Sequence, residues 1–208
     1  PGGRVDCSQV ACVALTFDDG PNSSTTLQVV NALNSQNIPA TFFMLGSMAQ
    51  SNPSVVATIA ANPRFEIGNH SVNHPNLTTL SSAQVSSQIT SATATLTRLS
   101  GRRITLFRPP YGSHNATVDA ACRTSGQAVI LWSVDTLDWQ NRNAATTTAK
   151  AVAGAKAGSI ILMHDIHPST AAAVPGLINQ LRAKGFVLVT VSELLGAPVA
   201  GRTYTQRG

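Results

Sequence analysis

The sequence predicts an α/β fold, because strand-like and helix-like segments alternate along the whole chain. Seven short apolar runs each stand beside a segment with helical periodicity. A chain of 208 residues, 43% of them hydrophobic, can bury a sizeable core. Alternation of this kind is typical of a parallel sheet covered by helices, which is either open or closed. Seven repeats favour closure, so we expect a distorted (β/α) barrel with about seven parallel strands.

The predicted strands are the apolar runs that stand between polar or glycine-containing turns. They cover residues 13–17, 40–45, 65–68, 106–108, 128–134, 159–163 and 186–190. No linker divides the chain, so residues 1–208 are expected to form a single domain. The polar tail at 197–208 is predicted to pack loosely.

The predicted helices lie between these strands and carry terminal signals. Pro53 occupies a favoured position in the first turn of a helix. Ser81 and Gln84 have the spacing of a capping box, and Gly101 marks the end of the same helix. The remaining helices are predicted at 24–36, 115–125, 144–156 and 171–184.

Charge and hydropathy exclude two classes of partner. The net charge is +5, but the 14 lysines and arginines are scattered, which argues against nucleic-acid binding. No apolar run approaches the ~20 residues of a membrane span, so no membrane partner is expected. A monomer is the default expectation.

Three cysteines give a hint about the redox environment. Cys7 and Cys12 stand close together before the first strand, where they can close a small disulfide loop or stay reduced. Cys122 occupies an apolar position in a helical stretch, which predicts a buried free thiol. A short disulfide favours an oxidising compartment.

Titratable residues concentrate where the predicted strands end. Five of the nine acidic residues and four of the five histidines follow a strand directly. They are Asp18, Asp19, Asp135, Asp138 and Asp165, with His70, His74, His164 and His167. Because function gathers at the carboxyl ends of strands in parallel α/β folds, we expect one shared polar site there.

A metal site is predicted within this set. His70 and His74 are four residues apart, which places both imidazoles on one face of a helical turn. Asp18 or Asp19 can add a carboxylate, and three ligands leave a position open for water. An isolated His-x-x-x-His pair can equally cap a loop, and an Asp-Asp-Gly-Pro turn is common on surfaces.

Five ordered motifs give the chain a specific resemblance. They are 16–21 (TFDDGP), 70–75 (HSVNHP), 108–112 (RPPYG), 135–139 (DTLDW) and 161–164 (ILMH). The chain resembles the polysaccharide deacetylases of carbohydrate esterase family 4, the NodB-homology domain, from about residue 13 to 191. Ile161 is the one mild departure, where the pattern usually has leucine. The resemblance implies a distorted (β/α) barrel as well.

The resemblance also implies roles for individual residues. Asp19, His70 and His74 would bind a metal, usually zinc, which cobalt or nickel can replace. Asp18 would be the general base, oriented by Arg108, and His164 the general acid, tuned by Asp138. The substrate-binding residues implied are Pro110, Tyr111, Trp139 and Leu162, with the Tyr111 N–H donating to the oxyanion. His114, His167 and Asp165 lie outside the motifs and are expected at the surface, at the rim or in structural positions.

Three functions stay open after this comparison. The first is N-deacetylation of chitin, chito-oligosaccharide or peptidoglycan N-acetylglucosamine, and the second is O-deacetylation of acetylxylan. The third is a non-catalytic glycan-binding domain, which the complete set of catalytic residues disfavours. No Gly-x-Ser-x-Gly elbow, P-loop or dinucleotide motif is present. A polymeric substrate, the Cys7/Cys12 pair and a first residue other than Met predict a secreted, extracellular protein.

Overall fold

Nine strands form one sheet in the computed structural model, which describes residues 5–208. Every strand pairing within those residues is parallel. The strands are β1 (Cys12–Asp18), β2 (Ala40–Met44), β3 (Phe65–Asn69), β4 (Leu106–Phe107), β5 (Ala128–Ile130), β6 (Val134–Asp135), β7 (Ile160–His164), β8 (Val187–Val189) and β9 (Thr203–Tyr204). The predicted parallel α/β architecture is therefore confirmed.

The sheet curls into a distorted barrel, and residues 131–133 form its seam. The strand order is β6-β7-β1-β2-β3-β4-β5-β9, with β8 paired to β1. β5 and β6 thus lie near opposite ends of the order, although only three residues separate them. The four steps from Ile130 to Val134 span at most about 14 Å. The two ends of the sheet must therefore approach each other, and the fifth predicted strand is divided into β5 and β6 by this crossing.

The C-terminal tail takes part in this closure. β9 pairs with β5, and the Leu131 N–H donates to the Tyr204 carbonyl over 2.8 Å. Beyond β9, Gln206 bridges to Ser159 just before β7. The sequence predicted a loosely packed tail because it is polar and terminal. Its backbone instead pairs with the edge of β5 and bridges to the residue before β7, which the polar sequence pattern does not reveal.

The described residues contain nine α-helices, most of which lie on the outside of the barrel. They are α1 (Thr25–Ser35), α2 (Gly46–Ser51), α3 (Pro53–Ala61), α4 (Ser82–Ser100), α5 (Ala116–Thr124), α6 (Asp138–Asn141), α7 (Ala144–Gly154), α8 (Pro168–Ala183) and α9 (Val191–Leu195). Two 3₁₀ turns cover Leu77–Thr79 and Pro110–Gly112. The predicted capping box of α4 is present, and Gly101 ends the helix in a left-handed conformation. No helix in the described part of the chain is long and apolar enough to cross a bilayer.

The two faces of the sheet belong to different hydrophobic clusters. On β1, Val13, Leu15 and Phe17 pack outward against helix residues. Cys12 and Ala14 instead join the cluster of β4, β5 and β8 inside the barrel. Burial on both faces explains why β1 reads as a continuous apolar run.

The three cysteines form one disulfide and one buried free thiol. The sulfur atoms of Cys7 and Cys12 are 2.08 Å apart in a disulfide that links the N-terminal segment to the start of β1. Cys122 on α5 is a buried free thiol, and burial raises its pKa to about 12.

Phe42 provides a test of the layer between the sheet and the helices. Its ring lies 5.4 Å from the ring centroids of both Phe17 and Phe65. We expect Phe42→Ala to lower the free energy of unfolding by about 3–5 kcal/mol, because the cavity left between the Phe17 and Phe65 rings cannot fully collapse. Denaturant unfolding measures this. Val199→Ala, at a residue 58% exposed, is the control and should change stability by less than ~0.5 kcal/mol. Equal stability of the two variants would contradict this view of the core.

Candidate active site

The carboxyl ends of the strands surround one cavity of about 410 Å³. Asp18 ends β1, His164 ends β7, and the two are register partners on adjacent strands. His70 follows β3 and Arg108 follows β4. The cavity is lined by Asp18, Asp19, His70, His74, Pro109, Tyr111, Trp132, Asp135, Trp139, Leu162 and His164. The expected shared polar site is therefore present.

Asp19, His70 and His74 form a cluster that can hold a metal ion. One ligand atom from each lies within 4.8 Å of the other two. Asp19 Oδ1 is 3.4 Å from His70 Nε2 and 3.5 Å from His74 Nε2. Asp19 Oδ1 is also buried without a hydrogen-bond partner in the described part of the chain. A buried, unpartnered carboxylate oxygen between two imidazoles fits a cation.

Backbone geometry turns the two histidines toward each other. Ser71 and His74 both have positive φ angles, 75° and 64°, so the segment is a compact loop and not a helical turn. The ring centroids of His70 and His74 are 5.0 Å apart. The two imidazoles are therefore adjacent, as the spacing of four residues predicted, but a loop and not a helical turn brings them together.

The protonation of this cluster suits metal binding. His70 Nδ1 lies 2.7 Å from the Arg108 carbonyl, an acceptor that requires the proton on Nδ1 and leaves Nε2 as a ligand. Burial and the neighbouring His70 lower the pKa of His74, which favours its neutral form. Burial opposes ionisation of Asp19, but the surrounding imidazoles, His70 foremost, outweigh it and lower the pKa of this carboxyl to about 2. The carboxylate is therefore ionised at neutral pH.

Asp18 is held apart from this cluster by a buried ion pair. Its Oδ1 accepts a hydrogen bond of 2.7 Å from Arg108 Nη1, and Arg108 is fully buried. Its Oδ2 faces the cluster, 3.7 Å from His70 Nε2. Burial lowers the pKa of Arg108, and the charge of Asp18 opposes that shift. Adjacent aspartates are thus placed in different environments by one guanidinium.

His164 and Asp138 form a second pair, next to Asp18 on the neighbouring strand β7. His164 Nδ1 lies 2.8 Å from Asp138 Oδ1, and Asp138 also accepts from the His164 backbone and from Thr170. Burial alone would lower the pKa of His164, but the hydrogen bond and charge of Asp138 raise it to about 9. The imidazole is therefore cationic at neutral pH, and Nε2 remains able to donate a proton.

Tyr111 offers a backbone donor beside the cluster. Its φ is 61°, and its N–H donates no hydrogen bond within the described residues. The residue is 66% exposed, and its ring centroid lies 4.5 Å from that of His74. A strained residue with a free N–H at a cavity wall fits a role in substrate binding.

The other predicted residues divide between cavity and scaffold. Leu162 and half-exposed Trp139 line the cavity, whereas Pro110 is buried and the neighbouring Pro109 takes its place in the lining. Outside the lining, His114 pairs with Asp119 over 2.8 Å, and His167 Nδ1 accepts from Arg142.

Two further acidic residues that follow predicted strands differ in their surroundings. Asp135 lines the cavity and accepts from the Leu137 N–H, so it is both structural and accessible to a ligand. Asp165 is buried against Gly20 and accepts from Thr26. Burial raises the pKa of Asp165 to about 7.

Sequence reasoning missed one aromatic residue of the cavity. Trp132 stands in the seam between β5 and β6 and lines the cavity. The sequence predicted one continuous strand there, which would have made Trp132 an ordinary strand residue. The role of Trp132 follows from the division of that strand into β5 and β6, and the alternation of side chains in the sequence does not show this division.

Comparisons with known proteins agree with this geometry. The family profile described as "Polysaccharide deacetylase" matches residues 6–130. Peptidoglycan-N-acetylglucosamine deacetylase PgdA of Listeria monocytogenes is 43% identical over 88% of this chain. A bifunctional xylanase/xylan deacetylase of Cellvibrio japonicus is 35% identical over 90% of it. The matched regions span only 39% and 28% of those relatives.

Solved structures extend the similarity to the whole fold. The structure described as "T48 deacetylase with substrate" superposes with a TM-score of 0.90 at 37% identity. The match covers 96% of this chain and 99% of that one. Together with the matched family profile and the five ordered motifs, this shows that the chain belongs to the polysaccharide deacetylase family.

Proposed function

We propose that this chain is a zinc-dependent hydrolase that removes N-acetyl groups from polysaccharides containing N-acetylglucosamine. One observation carries the proposal. The cluster of Asp19, His70 and His74 lies in the same cavity as an arginine-bound carboxylate and a carboxylate-bound cationic imidazole. These three elements together suit metal-assisted amide hydrolysis, in which water is activated and a poor leaving group is protonated.

The three-residue cluster would hold the metal. Two imidazoles and one carboxylate form a donor set that suits zinc, although cobalt and nickel accept the same ligands. A bound zinc ion would supply a Lewis acid for the acetyl carbonyl and would lower the pKa of a water molecule. The tautomer imposed on His70 by the Arg108 carbonyl presents Nε2 for this purpose.

Two side chains would move the protons. Asp18 takes a proton from the attacking water through Oδ2, while Oδ1 stays bound to Arg108. His164 gives a proton to the departing nitrogen from Nε2, since its Nδ1 is held by Asp138. The register partnership of Asp18 and His164 keeps base and acid on neighbouring strands at one level of the barrel.

Substrate contacts come from the cavity walls. The Tyr111 N–H would donate to the oxyanion, and one such donor is typically worth about 10²–10³ in rate. Trp139 and Leu162 would enclose the acetyl methyl group, because both line the cavity beside His164. Exposed Tyr111 and Trp139 rings at the rim also suit contact with a sugar.

The substrate class rests on the relatives and leaves a second candidate. The name of PgdA favours peptidoglycan N-acetylglucosamine, and chitin oligomers carry the same N-acetyl group. The xylan deacetylase relative favours acetylxylan as the alternative, since the same groups can cleave an ester. Comparing acetate release from an N-acetylglucosamine oligomer with release from acetylxylan separates the two functions. Release from acetylxylan alone would refute N-deacetylation.

The location and the assembly are inferred from chemistry. A polymeric cell-wall substrate and the bonded Cys7 and Cys12 support a secreted, extracellular protein. A monomer is proposed, because one chain contributes all the groups required. A purely glycan-binding role would leave both buried pairs without a purpose.

Metal dependence is tested by acetate release from an N-acetylglucosamine oligomer. We expect release to stop when the protein is treated with a chelator and dialysed, because Asp19, His70 and His74 would lose their ion. Added zinc should restore it. The control is circular dichroism of the stripped protein, which shows whether the fold persists. Release that persists without metal, from a folded protein, would contradict the proposed site.

The pH profile tests the acid. His164 must be protonated to act, and Asp138 raises its pKa to about 9, so activity should be present below that pH and fall as pH rises through it. In Asp138→Asn the pKa should return toward ~6.5, so the alkaline limb of kcat/KM should move to lower pH. At pH 8 the protonated fraction, and hence the rate, would be lower by roughly thirty-fold.

Asp135→Asn is the matched control for that experiment. Asp135 lines the same cavity, but its Oδ1 accepts from the Leu137 N–H and not from His164. The alkaline limb of kcat/KM in Asp135→Asn should lie at the same pH as in the unmodified protein. An alkaline limb that Asp138→Asn leaves in place would show that His164 is not the acid.

A further inference from the structure

Trp132 contacts two parts of the proposed machinery, although it lies outside the five motifs. It stands where the chain crosses the barrel seam, one residue before Ser133, whose N–H donates to the Ile160 carbonyl over 3.1 Å. Its side chain is half-buried and lines the cavity. The hydrogen bond of Ser133 anchors the backbone next to Trp132 to the start of β7.

The first contact is with the turn that carries the Tyr111 N–H. A Cβ built at Gly112 would lie 2.9 Å from Trp132 Cη2 and 3.5 Å from Cζ3, so the ring edge packs directly on the glycine backbone. Gly112 has a φ of 67° and follows Tyr111, whose φ is 61°. Two successive left-handed residues are an unusual conformation that needs support from its surroundings.

The second contact is with the arginine that holds the base. The guanidinium carbon of Arg108 lies 5.7 Å from the Trp132 ring centroid and 4.1 Å from that of Phe43. Both distances are within the range of about 6 Å for cation–π attraction. The carbonyl of Leu131, the preceding residue, accepts from Arg108 Nη2 over 3.0 Å. Ring and backbone at the seam therefore act on the same guanidinium.

We propose that Trp132 is a positioning residue that sets the oxyanion turn at Tyr111–Gly112 and the Arg108 guanidinium relative to each other. The inference rests on the proposed function. It goes beyond a cavity wall, because a wall residue would affect substrate binding and not the alignment of base and oxyanion donor. Displacements near 1 Å in such groups can cost about 10²-fold in rate.

The test compares Trp132→Leu and Trp132→Phe in acetate release from an N-acetylglucosamine oligomer. Trp132→Leu should lower kcat by roughly 10–100-fold with KM little changed, because alignment is lost and ground-state binding is not. Trp132→Phe should recover part of the loss, since a smaller aromatic ring still faces Arg108. If the leucine variant does not fold, the kcat and KM of Trp132→Phe alone test the inference. A raised KM with unchanged kcat would reduce Trp132 to a cavity wall and overturn the inference.

A double-mutant cycle with Gly112→Ala examines the contact itself. Gly112→Ala alone should lower kcat, because its Cβ would strike the Trp132 ring in addition to straining φ. In the Trp132→Leu or Trp132→Phe background the same change should cost less, since the ring edge has gone. An equal loss of kcat from Gly112→Ala in the unmodified protein and in the Trp132 variants would show that the contact has no effect. An unmodified, zinc-loaded protein that releases no acetate would refute the proposed function, whereas an active protein with additive variants refutes this inference alone.

Discussion

Arg108 is a fully buried cation, and the layout of the site depends on how the chain neutralises it. Its guanidinium donates to Thr16 and Asp18 of β1 and to the carbonyls of Ile130 and Leu131 at the end of β5. A buried charge without such partners would cost several kcal/mol. The arginine therefore ties β1 to β5 through the barrel interior. Its own carbonyl also accepts from His70.

The same residue explains why adjacent aspartates behave differently. Asp18 is bound by Arg108, so one of its oxygens is fixed and the other faces the cavity. Asp19, in a left-handed conformation with a φ of 75°, turns to the two histidines instead. On the neighbouring strand β7, Asp138 fixes His164 in a comparable way. Each proposed proton carrier is thus held by a buried partner, and preorganisation of this kind avoids rearrangement during the reaction.

The sequence could predict the fold class and the members of the site, because both depend on local patterns. Apolar runs such as that of β1 and the motif residues around Asp18 and His164 are visible in one dimension. Closure of the barrel was less visible, since it depends on a three-residue crossing and on tail residues that pair through their backbones. Backbone pairing leaves little trace in side-chain type, so β9 and the division of the fifth strand were missed.

Trp132 and Pro109 show the same limit within the site. Both line the cavity, but Trp132 lies outside the five motifs, and Pro109 lies within the motif at 108–112 without having been assigned a role there. His70 and His74 were predicted from a helical spacing, yet a loop with positive φ angles brings them together. Motifs therefore predict which residues meet more reliably than the conformation by which they meet.

The central claim is that Arg108 divides two adjacent aspartates into a base and a metal ligand. Titration of zinc into the metal-free protein, Asp18→Asn and Asp19→Asn tests it most directly. The account predicts that Asp19→Asn weakens zinc binding by more than about tenfold, since it removes a ligand, whereas Asp18→Asn leaves the dissociation constant close to that of the unmodified protein. Weaker zinc binding in Asp18→Asn than in Asp19→Asn would contradict the account.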